Sequence, residues 1–279
     1  MIVYFDTNVF DHLEQCNGVT TWDLFRIQRA IKHGCMRLVL SYLNIEETLF
    51  IVSSQPKRAD ARIRLILELA DKRLFVLGQE MIMNNDIRAY AGATQAPSPF
   101  MAMPPWVEVE IRNLAKAVGH YSQKLESLID ETRQDKKVFQ EFLIEGRAKL
   151  KPMADSIGGK QYPFANYWVS NSGWLVEGLA RRVRVLGKVK KRGVDGLLKV
   201  KSVALAVGAN LSLLYSHHME NCTPASGDSR DILHAVLAST ADVFVTNDKR
   251  LEAVLARVPV DGFRVMSLRK FLSILPQWV

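Results

Sequence analysis

The sequence predicts an α/β fold in which helices cover both sides of a central parallel sheet. Short, wholly apolar runs such as Ile2 to Phe5 are typical of strands that are buried on both faces of such a sheet. These runs alternate with stretches of helical periodicity, as βαβ units require. Hydrophobic residues make up 48% of the 279 residues, which is enough for a sizeable core.

The first part of the chain supplies strands and helices in alternation. The predicted elements are, in order, a strand at Ile2 to Phe5, a helix from Thr20 or Thr21 to about His33, a strand at Arg37 to Leu40, a helix capped by Ser41, an amphipathic helix from Lys57 to Lys72 and a strand at Leu74 to Leu77. Threonine and serine are predicted caps because their hydroxyls accept bonds from the first turn of a helix. Ile63, Ile66 and Leu67 share one face of the amphipathic helix.

The middle of the chain, approximately residues 78–205, predicts a mostly helical insertion. A proline-rich loop at residues 96–105 breaks the pattern, and residues 107–150 form one or two charged helices. An irregular stretch begins at Gly158-Gly159. The aromatic residues between 162 and 174 could stack on unpaired bases, but burial in the insertion's own core is the preferred interpretation.

Residues 1–77 and 206–279 are predicted to form one α/β core around this insertion. The second half of the core supplies a helix near Leu197 to Tyr215, a helix at Asp228 to Ser239, a strand at Val243 to Thr246, and a final strand and helix. The two parts of the core therefore contribute strands to one sheet.

Two predicted strands each deliver a carboxylate at the carboxyl end, the edge where α/β sheets bind ligands. Two further acidic positions lie at the starts of predicted helices. The four positions are Asp6, Glu46 or Glu47, Asp228 or Asp231, and Asp248. Four carboxylates at one edge would repel one another without a cation among them, so the sequence indicates a divalent-metal site.

Each strand-end or helix-start aspartate also has an ordinary structural interpretation. Asp6 and Asp248 could bond backbone amides as turn or N-cap residues. Asp228 is a natural N-cap, with Asp231 at the third helical position, so both could serve only as caps. Because Asp6 and Asp248 occupy matching positions after two strands, a shared site is preferred over two separate caps.

The adjacent glutamates cannot both face the site, because neighbouring helical residues lie about 100° apart. Only one of Glu46 and Glu47 is therefore expected to be a ligand, and the other is expected on a solvated face. Thr7 and Asn8 could orient water or a phosphate oxygen, although Asn8 is expected only to complete the turn. His234 and His217-His218 receive no catalytic role, since a packed histidine is the commoner case.

These motifs resemble those of the PIN-domain nucleases. The similar segments are Asp6-Thr7-Asn8, Ser41 to Glu47, Asp231-Ile-Leu-His-Ala, Thr246-Asn-Asp248, and Gly262 to Leu272 as a terminal strand and helix. The resemblance covers roughly residues 1–77 and 206–279 and none of the insertion. It implies a PIN-like three-layer sandwich with a central parallel sheet.

The resemblance also implies a metal-dependent nuclease, foremost an endoribonuclease, that uses one or two Mg²⁺ or Mn²⁺ ions. The implied catalytic ligands are Asp6, Glu47, Asp231 and Asp248, with Asp228 as an auxiliary ligand. In this chemistry a metal ion activates water for in-line attack and leaves 5′-phosphate and 3′-hydroxyl ends. Small family members are toxins, and this chain is much longer. The alternatives are a structure-specific DNA nuclease with a helical element over its site and a non-catalytic nucleic-acid-binding module.

The net charge of +8 requires basic residues away from the acidic edge. A polyanionic partner that approaches carboxylates would need such residues, so nucleic acid is the expected partner, with RNA favoured over DNA. Three kinds of protein partner are left as alternatives: an antitoxin, another protein, or a second copy of this chain. One run combines seven cations with no acid and is either a phosphate contact or a solvated surface: Arg181, Arg182, Arg184, Lys188, Lys190, Lys191 and Arg192.

The cysteine content and the hydropathy pattern indicate in which cellular compartment the protein is expected. Three cysteines without a CxxC pair favour a reducing compartment and argue against a zinc site. We expect no signal peptide and no membrane span, because no apolar run approaches the roughly 18 residues that a transmembrane helix needs. A cytoplasmic location is the resulting expectation.

Overall fold

The computed structural model describes residues 1–76, 78–92, 95–156, 162–220, 222–225 and 227–275. Leu77 and Gly158-Gly159, which belong to segments interpreted above, lie outside these residues. The strands are β1 (Ile2–Phe5), β2 (Arg37–Leu38), β3 (Leu40–Ser41), β4 (Phe75–Val76), β5 (Val243–Val245) and β6 (Arg264–Met266). The helices are α1 (Thr7–Glu14), α2 (Thr21–Lys32), α3 (Tyr42–Leu49), α4 (Pro56–Leu69), α5 (Gln79–Tyr90), α6 (Pro105–Lys116), α7 (Tyr121–Ser156), α8 (Phe164–Arg182), α9 (Leu186–Arg192), α10 (Val194–Leu197), α11 (Lys201–His218), α12 (Asp228–Ala238), α13 (Lys249–Ala256) and α14 (Leu268–Ile274).

The protein is an α/β protein with a parallel sheet in the strand order β2-β1-β5-β6. Val3 of β1 pairs with Leu38 on one side and with Val243 on the other. The sheet thus joins strands from the two ends of the chain. The neighbouring strands β1 and β5 run parallel and in register, so their carboxyl ends meet at the same edge of the sheet.

Helices cover both faces of this sheet. Val3 and Phe5 of β1 enter one hydrophobic cluster, whereas Tyr4, which points the other way, enters a second cluster with Phe244. The first cluster is built with α1, α2, α4, α6 and α14, and the second with α5, α11, α12 and α13. The wholly apolar strands are explained by burial on both sides.

Several predicted elements differ from the structure in their bounds, and two of these differences have a local structural basis. The strand predicted at Arg37 to Leu40 divides: its pairing with β1 ends at Leu38, and Leu40 pairs with Phe75 of β4 instead. The helix predicted at Lys57 to Lys72 is α4, which begins with Pro56 at its first position and ends at Leu69. Proline suits this first turn because the missing N–H has no helical acceptor there.

The helix α11 connects the insertion with the sheet. It begins at Lys201, so the boundary predicted at residue 206 lies inside a continuous helix. Leu205 and Ala209 belong to the cluster against the sheet, whereas Val207 and Leu211 belong to a third cluster with α8. This shared helix fixes part of the insertion to the core.

Most aromatic residues of this segment pack in a core within the insertion, as the sequence predicts, although only Tyr167 is fully buried. Tyr167 is buried in the third cluster, and Tyr162, Phe164 and Trp168 pack against it. Trp174 is the exception, because its side chain is 58% exposed. No helix in the described ranges has the length and hydrophobicity to cross a membrane.

Candidate active site

The four predicted catalytic carboxylates line one pocket of about 410 Å³ at the carboxyl edge of the sheet. They are Asp6, Glu47, Asp231 and Asp248. The backbone N–H of Asp6 donates to the carbonyl of Val245, 2.9 Å away, and so places the ends of β1 and β5 side by side. The helices α3 and α12 bring the other two acids to the same place.

Asp6 is held by polar groups from both strand ends. Its Oδ2 accepts hydrogen bonds from the Asn8 amide and, at 2.7 Å, from the Thr246 hydroxyl. Burial raises the pKa of Asp6, and the neighbouring Glu47 adds to this effect against the opposing charge of His234. Asn8 therefore does more than complete the turn, because its side chain orients the Asp6 carboxylate.

Asp248 combines the two roles that its sequence position suggests. Its Oδ1 accepts from the backbone N–H groups of Arg250 and Leu251 at 2.7 and 3.0 Å and caps α13. The residue also lines the pocket. Burial, followed by the charge of Asp248, raises the pKa of the nearby Asp231 to about 8. Proximity to the Asp248 carboxylate thus adds to the effect of burial in disfavouring the charged form of Asp231.

The two adjacent glutamates have different partners, and Glu47 is the one that faces the pocket. Its Oε2 lies 3.1 Å from Nε2 of His234. Burial alone would raise its pKa, but the charge and hydrogen bond of His234 outweigh this and lower the pKa to about 2. The expected solvated position of Glu46 is wrong. Glu46 pairs with Arg230 at 2.7 Å and accepts from Thr132 at 2.9 Å, because α12 and α7 pack beside α3.

His234 belongs to the acidic cluster, although the sequence pattern did not assign it a site role. Its Nε2 lies 3.1 Å from Glu47 and 3.4 Å from Asp6, and its Nδ1 lies 2.8 Å from the Tyr4 hydroxyl. Burial lowers its pKa, but Glu47 and Asp6 together raise it to about 9. The spacing to Asp231 was the available signal, because residues three apart share a helix face.

The donor set fits a divalent cation. Asp6, Glu47 and His234 each offer one ligand atom, and these atoms lie within 4.8 Å of one another. Two carboxylates are the oxygen donors that Mg²⁺ and Mn²⁺ prefer, and the imidazole nitrogen favours Mn²⁺ of the two. A cation among these atoms would take the place of the imidazolium charge and would relieve the raised pKa of Asp231.

Asp228 does not line the pocket with the other predicted ligands. It is fully buried, and its carboxylate lies 2.9 Å from Nε2 of His217 and 2.8 Å from Arg250. It also accepts from the backbone of Ala225. Gly227 is the N-cap of α12, so Asp228 is the first helical residue. The predicted auxiliary ligand is therefore a structural group that ties α11 to α12 and α13.

Basic side chains line the other side of the pocket, and sequence reasoning did not identify them. They are Arg58, Arg62, Lys136 and Arg230. Arg58 and Arg62 both pair with Asp11. Arg62 is buried, and its Nε has no hydrogen-bond partner in the described part of the chain. These cations are scattered through the sequence, so a search for basic runs could not find them.

The basic run of the insertion lies elsewhere. All seven of its cations are exposed, and none is among the described residues that line the acidic pocket. Arg182 pairs with Glu80 at 2.6 Å, and Lys190 pairs with Glu177 at 3.1 Å. Other helices therefore supply counter-charges that the run itself lacks.

No protein-family model matches the chain, and no curated protein or solved structure matches it either.

Proposed function

We propose that this protein is a metal-dependent nuclease of PIN-like fold that hydrolyses phosphodiester bonds, with RNA as the favoured substrate. One observation carries the proposal. Four carboxylates from distant parts of the chain meet in one pocket, and four basic side chains border the same pocket. Carboxylates attract a divalent cation and basic groups attract a phosphate, so this pocket suits the two together.

Asp6, Glu47 and His234 are the residues that would hold Mg²⁺ or Mn²⁺. When bound, such an ion lowers the pKa of water and stabilises charge on a phosphoryl oxygen. The chain's own residues position the substrate. Arg58, Arg62 and Lys136 border the pocket as phosphate-binding groups, while Asn8 and Thr246 keep the Asp6 carboxylate oriented. A hydrogen-bonded ligand that is already oriented needs little reorganisation on binding.

Two observations keep alternatives in view. The long helix α7 of the insertion reaches the pocket with Lys136, which favours a structure-specific DNA nuclease whose helical element contacts the substrate. The imidazolium of His234 neutralises part of the acidic cluster without a metal ion, which favours a non-catalytic binding module. Both alternatives share the pocket and differ from the main proposal in metal binding or substrate.

The direct test is cleavage of labelled single-stranded RNA, folded RNA, single-stranded DNA and flapped DNA, each with Mg²⁺, Mn²⁺ or EDTA. We expect cleavage of RNA with either metal and none with EDTA. Cleavage confined to flapped DNA would establish the first alternative. Absence of cleavage of every substrate, together with calorimetry that detects no Mn²⁺ binding, would establish the second.

A further inference from the structure

A second cavity adjoins the acidic pocket. This side cavity has a volume of about 800 Å³ and lies between α3, α7 and α12. Lys136 and Arg230 line both spaces and therefore mark the junction between them. We propose that the side cavity receives an unpaired base of a single-stranded nucleic acid whose adjoining phosphate binds at this junction. The inference rests on the proposed function and names the substrate class and the residues that recognise it.

Lys136 supplies the positive charge for the phosphate. Its side chain is half-buried, and within the described residues its ammonium group has no ion pair or hydrogen bond. The group lies 5.2 Å from the centre of the Phe50 ring, and burial lowers its pKa. Glu47 and Glu46 stabilise its charge only from a distance. A partly buried charge without a direct anionic contact is costly, so a phosphate at this point would replace lost hydration. The next residue, Lys137, is exposed and lies 3.9 Å from Glu141.

Arg230 shapes the junction from the opposite helix. Its guanidinium is bidentate to Glu46 and lies 5.5 Å from the centre of the Phe50 ring. The two hydrogen bonds to Glu46 hold the guanidinium of Arg230 in a fixed orientation and leave fewer of its N–H groups for a phosphate. Lys136 is the freer of the two cations and is therefore assigned the phosphate contact.

The side cavity has the chemical character of a base site. Tyr42 and Phe139 supply aromatic surface, and Leu128 and Leu233 supply aliphatic surface. Aromatic side chains stack on unpaired bases with little dependence on base identity. The volume lies within the range of about 300–1,000 Å³ that is usual for small-ligand pockets.

Polar groups in the side cavity suit the edge of a base better than a phosphate. Gln79 and Asn210 line it with amide groups, and the exposed acids Glu131 and Asp135 line it as well. Carboxylates repel phosphate but accept hydrogen bonds from the amino groups of bases. The base is therefore assigned to the cavity and the phosphate to the junction. A base in a duplex has its edge already paired, so an unpaired base is required.

The test is equilibrium binding in EDTA, where metal-dependent cleavage does not interfere. Four fluorescent oligomers of equal length and charge per strand are compared: single-stranded RNA, single-stranded DNA, duplex RNA, and an abasic ribose-phosphate strand. We expect either base-bearing single strand to bind at least about tenfold more tightly than the abasic strand and than the duplex. Equal affinity for the abasic and base-bearing strands would overturn the proposal, as would tighter binding of the duplex.

Two pairs of variants separate the phosphate contact from the base contact. Lys136→Gln should weaken binding of base-bearing and abasic strands alike, whereas the control Lys137→Gln should leave both unchanged. Phe139→Ala should weaken the base-bearing strand by at least about fivefold and spare the abasic strand, given the usual contribution of base stacking. Phe25→Ala, at a 43% exposed aromatic residue outside the cavity, is its control. If each variant changed affinity only as much as its control does, the assignment of Lys136 to the phosphate and of Phe139 to the base would be overturned.

Failure of this inference and failure of the proposed function give different results. An enzyme that cleaves with Mg²⁺ or Mn²⁺ but binds abasic and base-bearing strands equally keeps the nuclease proposal and loses the base site. A protein that discriminates in favour of unpaired bases in EDTA but never cleaves keeps the base site and loses the nuclease proposal. Absence of binding to every oligomer overturns the base site outright.

Discussion

Asp6 and Asp248 end neighbouring strands, and each also makes structural hydrogen bonds. Asparagine preserves most of these, because it caps a helix about as well as aspartate does and nearly matches its volume. We predict that Asp6→Asn and Asp248→Asn each lower the rate of cleavage by at least about a hundredfold, or roughly 2.7 kcal/mol of transition-state stabilisation. Initial rates at saturating Mg²⁺ measure this effect.

The thermal unfolding of the same two variants is the control. We expect midpoints close to wild type, and for Asp6→Asn even a higher one, because the buried carboxylate has a raised pKa that its neutral replacement avoids. If either variant cleaved at the wild-type rate, the assignment of the strand-end carboxylates to the catalytic site would be wrong.

Glu46 and Glu47 are adjacent but belong to different interactions. Glu47→Gln should lower the cleavage rate at least roughly tenfold, since each decade corresponds to about 1.4 kcal/mol. Glu46→Gln should instead destabilise the fold by about 1–3 kcal/mol, because it leaves the mostly buried Arg230 without its charged partner. Rates and urea denaturation of both variants measure the two effects. If Glu46→Gln loses activity while stability is unchanged, the assignments are exchanged.

Sequence reasoning identified Asp6 and Asp248 because the ends of paired parallel strands converge, and it identified Glu47 and Asp231 from the motifs that resemble PIN-domain nucleases. It could not find Lys136, Arg62 or the site role of His234. The position of Lys136 depends on how α7 packs beside α3, and that packing leaves no periodic signal in the sequence. His234 looked like a packed residue, and it is buried; its partners, however, are Glu47 and Asp6. The two carboxylates and not the apolar neighbours decide its chemistry.

At the scale of elements, Gly208 allows α11 to pack closely against Val258, which follows the end of α13. A β-carbon there would overlap both methyl groups of Val258. We predict that Gly208→Ala destabilises the protein by about 1–3 kcal/mol through overpacking. Gly173→Ala in α8, where a β-carbon meets open space, is the matched control and should gain up to about 1 kcal/mol of helix propensity. Chemical denaturation that shows the same change in both variants would contradict this interpretation of the α11 to α13 contact.

The turn between α4 and β4 depends on one carboxylate. Asp71 accepts from Nε of Arg37 at 2.8 Å and from Nε of Arg73 at 3.1 Å. The Arg73 bond, opposed by burial and reinforced by Arg37, lowers the pKa of Asp71 to about 2. A pKa that is lower in the folded state adds stability above the unfolded value of about 3.9, and this stability disappears as pH falls towards the folded value.

We therefore predict a pH-dependent difference between wild type and Asp71→Asn. The wild type should be the more stable above about pH 4, and the difference should shrink between about pH 4 and pH 2. Denaturation at pH 7, 4 and 2.5 measures it. Asp60→Asn, which breaks a pair with the 61% exposed Arg64, is the control and should change stability little. A difference that is constant with pH would mean that the Asp71 charge is not the stabilising feature.

Sequence patterns predicted where strands and helices lie better than they predicted which strands pair and which helices pack together. The apolar run at Arg37 to Leu40 indicated a strand, but the run itself does not show that Leu38 pairs with β1 whereas Leu40 pairs with Phe75. The helix α11 was predicted at nearly its true position. Its two apolar faces could not be assigned from periodicity, because a helix buried on several sides has no dominant face. The insertion and the core are consequently less separate than the composition suggests.

At the scale of the whole molecule, three cavities adjoin one another. The side cavity shares Gln79, Asn210 and Leu233 with a third cavity of about 400 Å³, whose lining includes Trp174 and Arg182. Shared lining residues thus define a path of neighbouring cavities from the acidic pocket past Lys136 to Arg182 of the basic run. The acidic pocket lies at one end of this path, and the basic run, which contributes to the net charge of +8, lies at the other.

Our last prediction concerns the length of a strand along this path. Replacing Arg181, Arg182, Lys190 and Lys191 together with Gln should weaken binding of long single strands. The salt slope of log affinity should fall by about 0.7 for each phosphate that the protein no longer neutralises. A short oligomer that ends at the side cavity should bind with equal affinity to the protein with the intact basic run and to this fourfold variant. Titrations at several salt concentrations on the Asp6→Asn background measure both slopes.

The control for this variant must remove equal charge away from the path. Four exposed cations that line none of the three cavities serve this purpose when changed to Gln: Lys32, Lys116, Arg269 and Lys270. A loss of affinity that is equal in the two variants would reflect net charge alone. If long strands bind the basic-run variant with the wild-type slope, the run is a solvated surface whose ion pairs with Glu80 and Glu177 serve the fold. Substrate binding by the insertion would then be confined to α7.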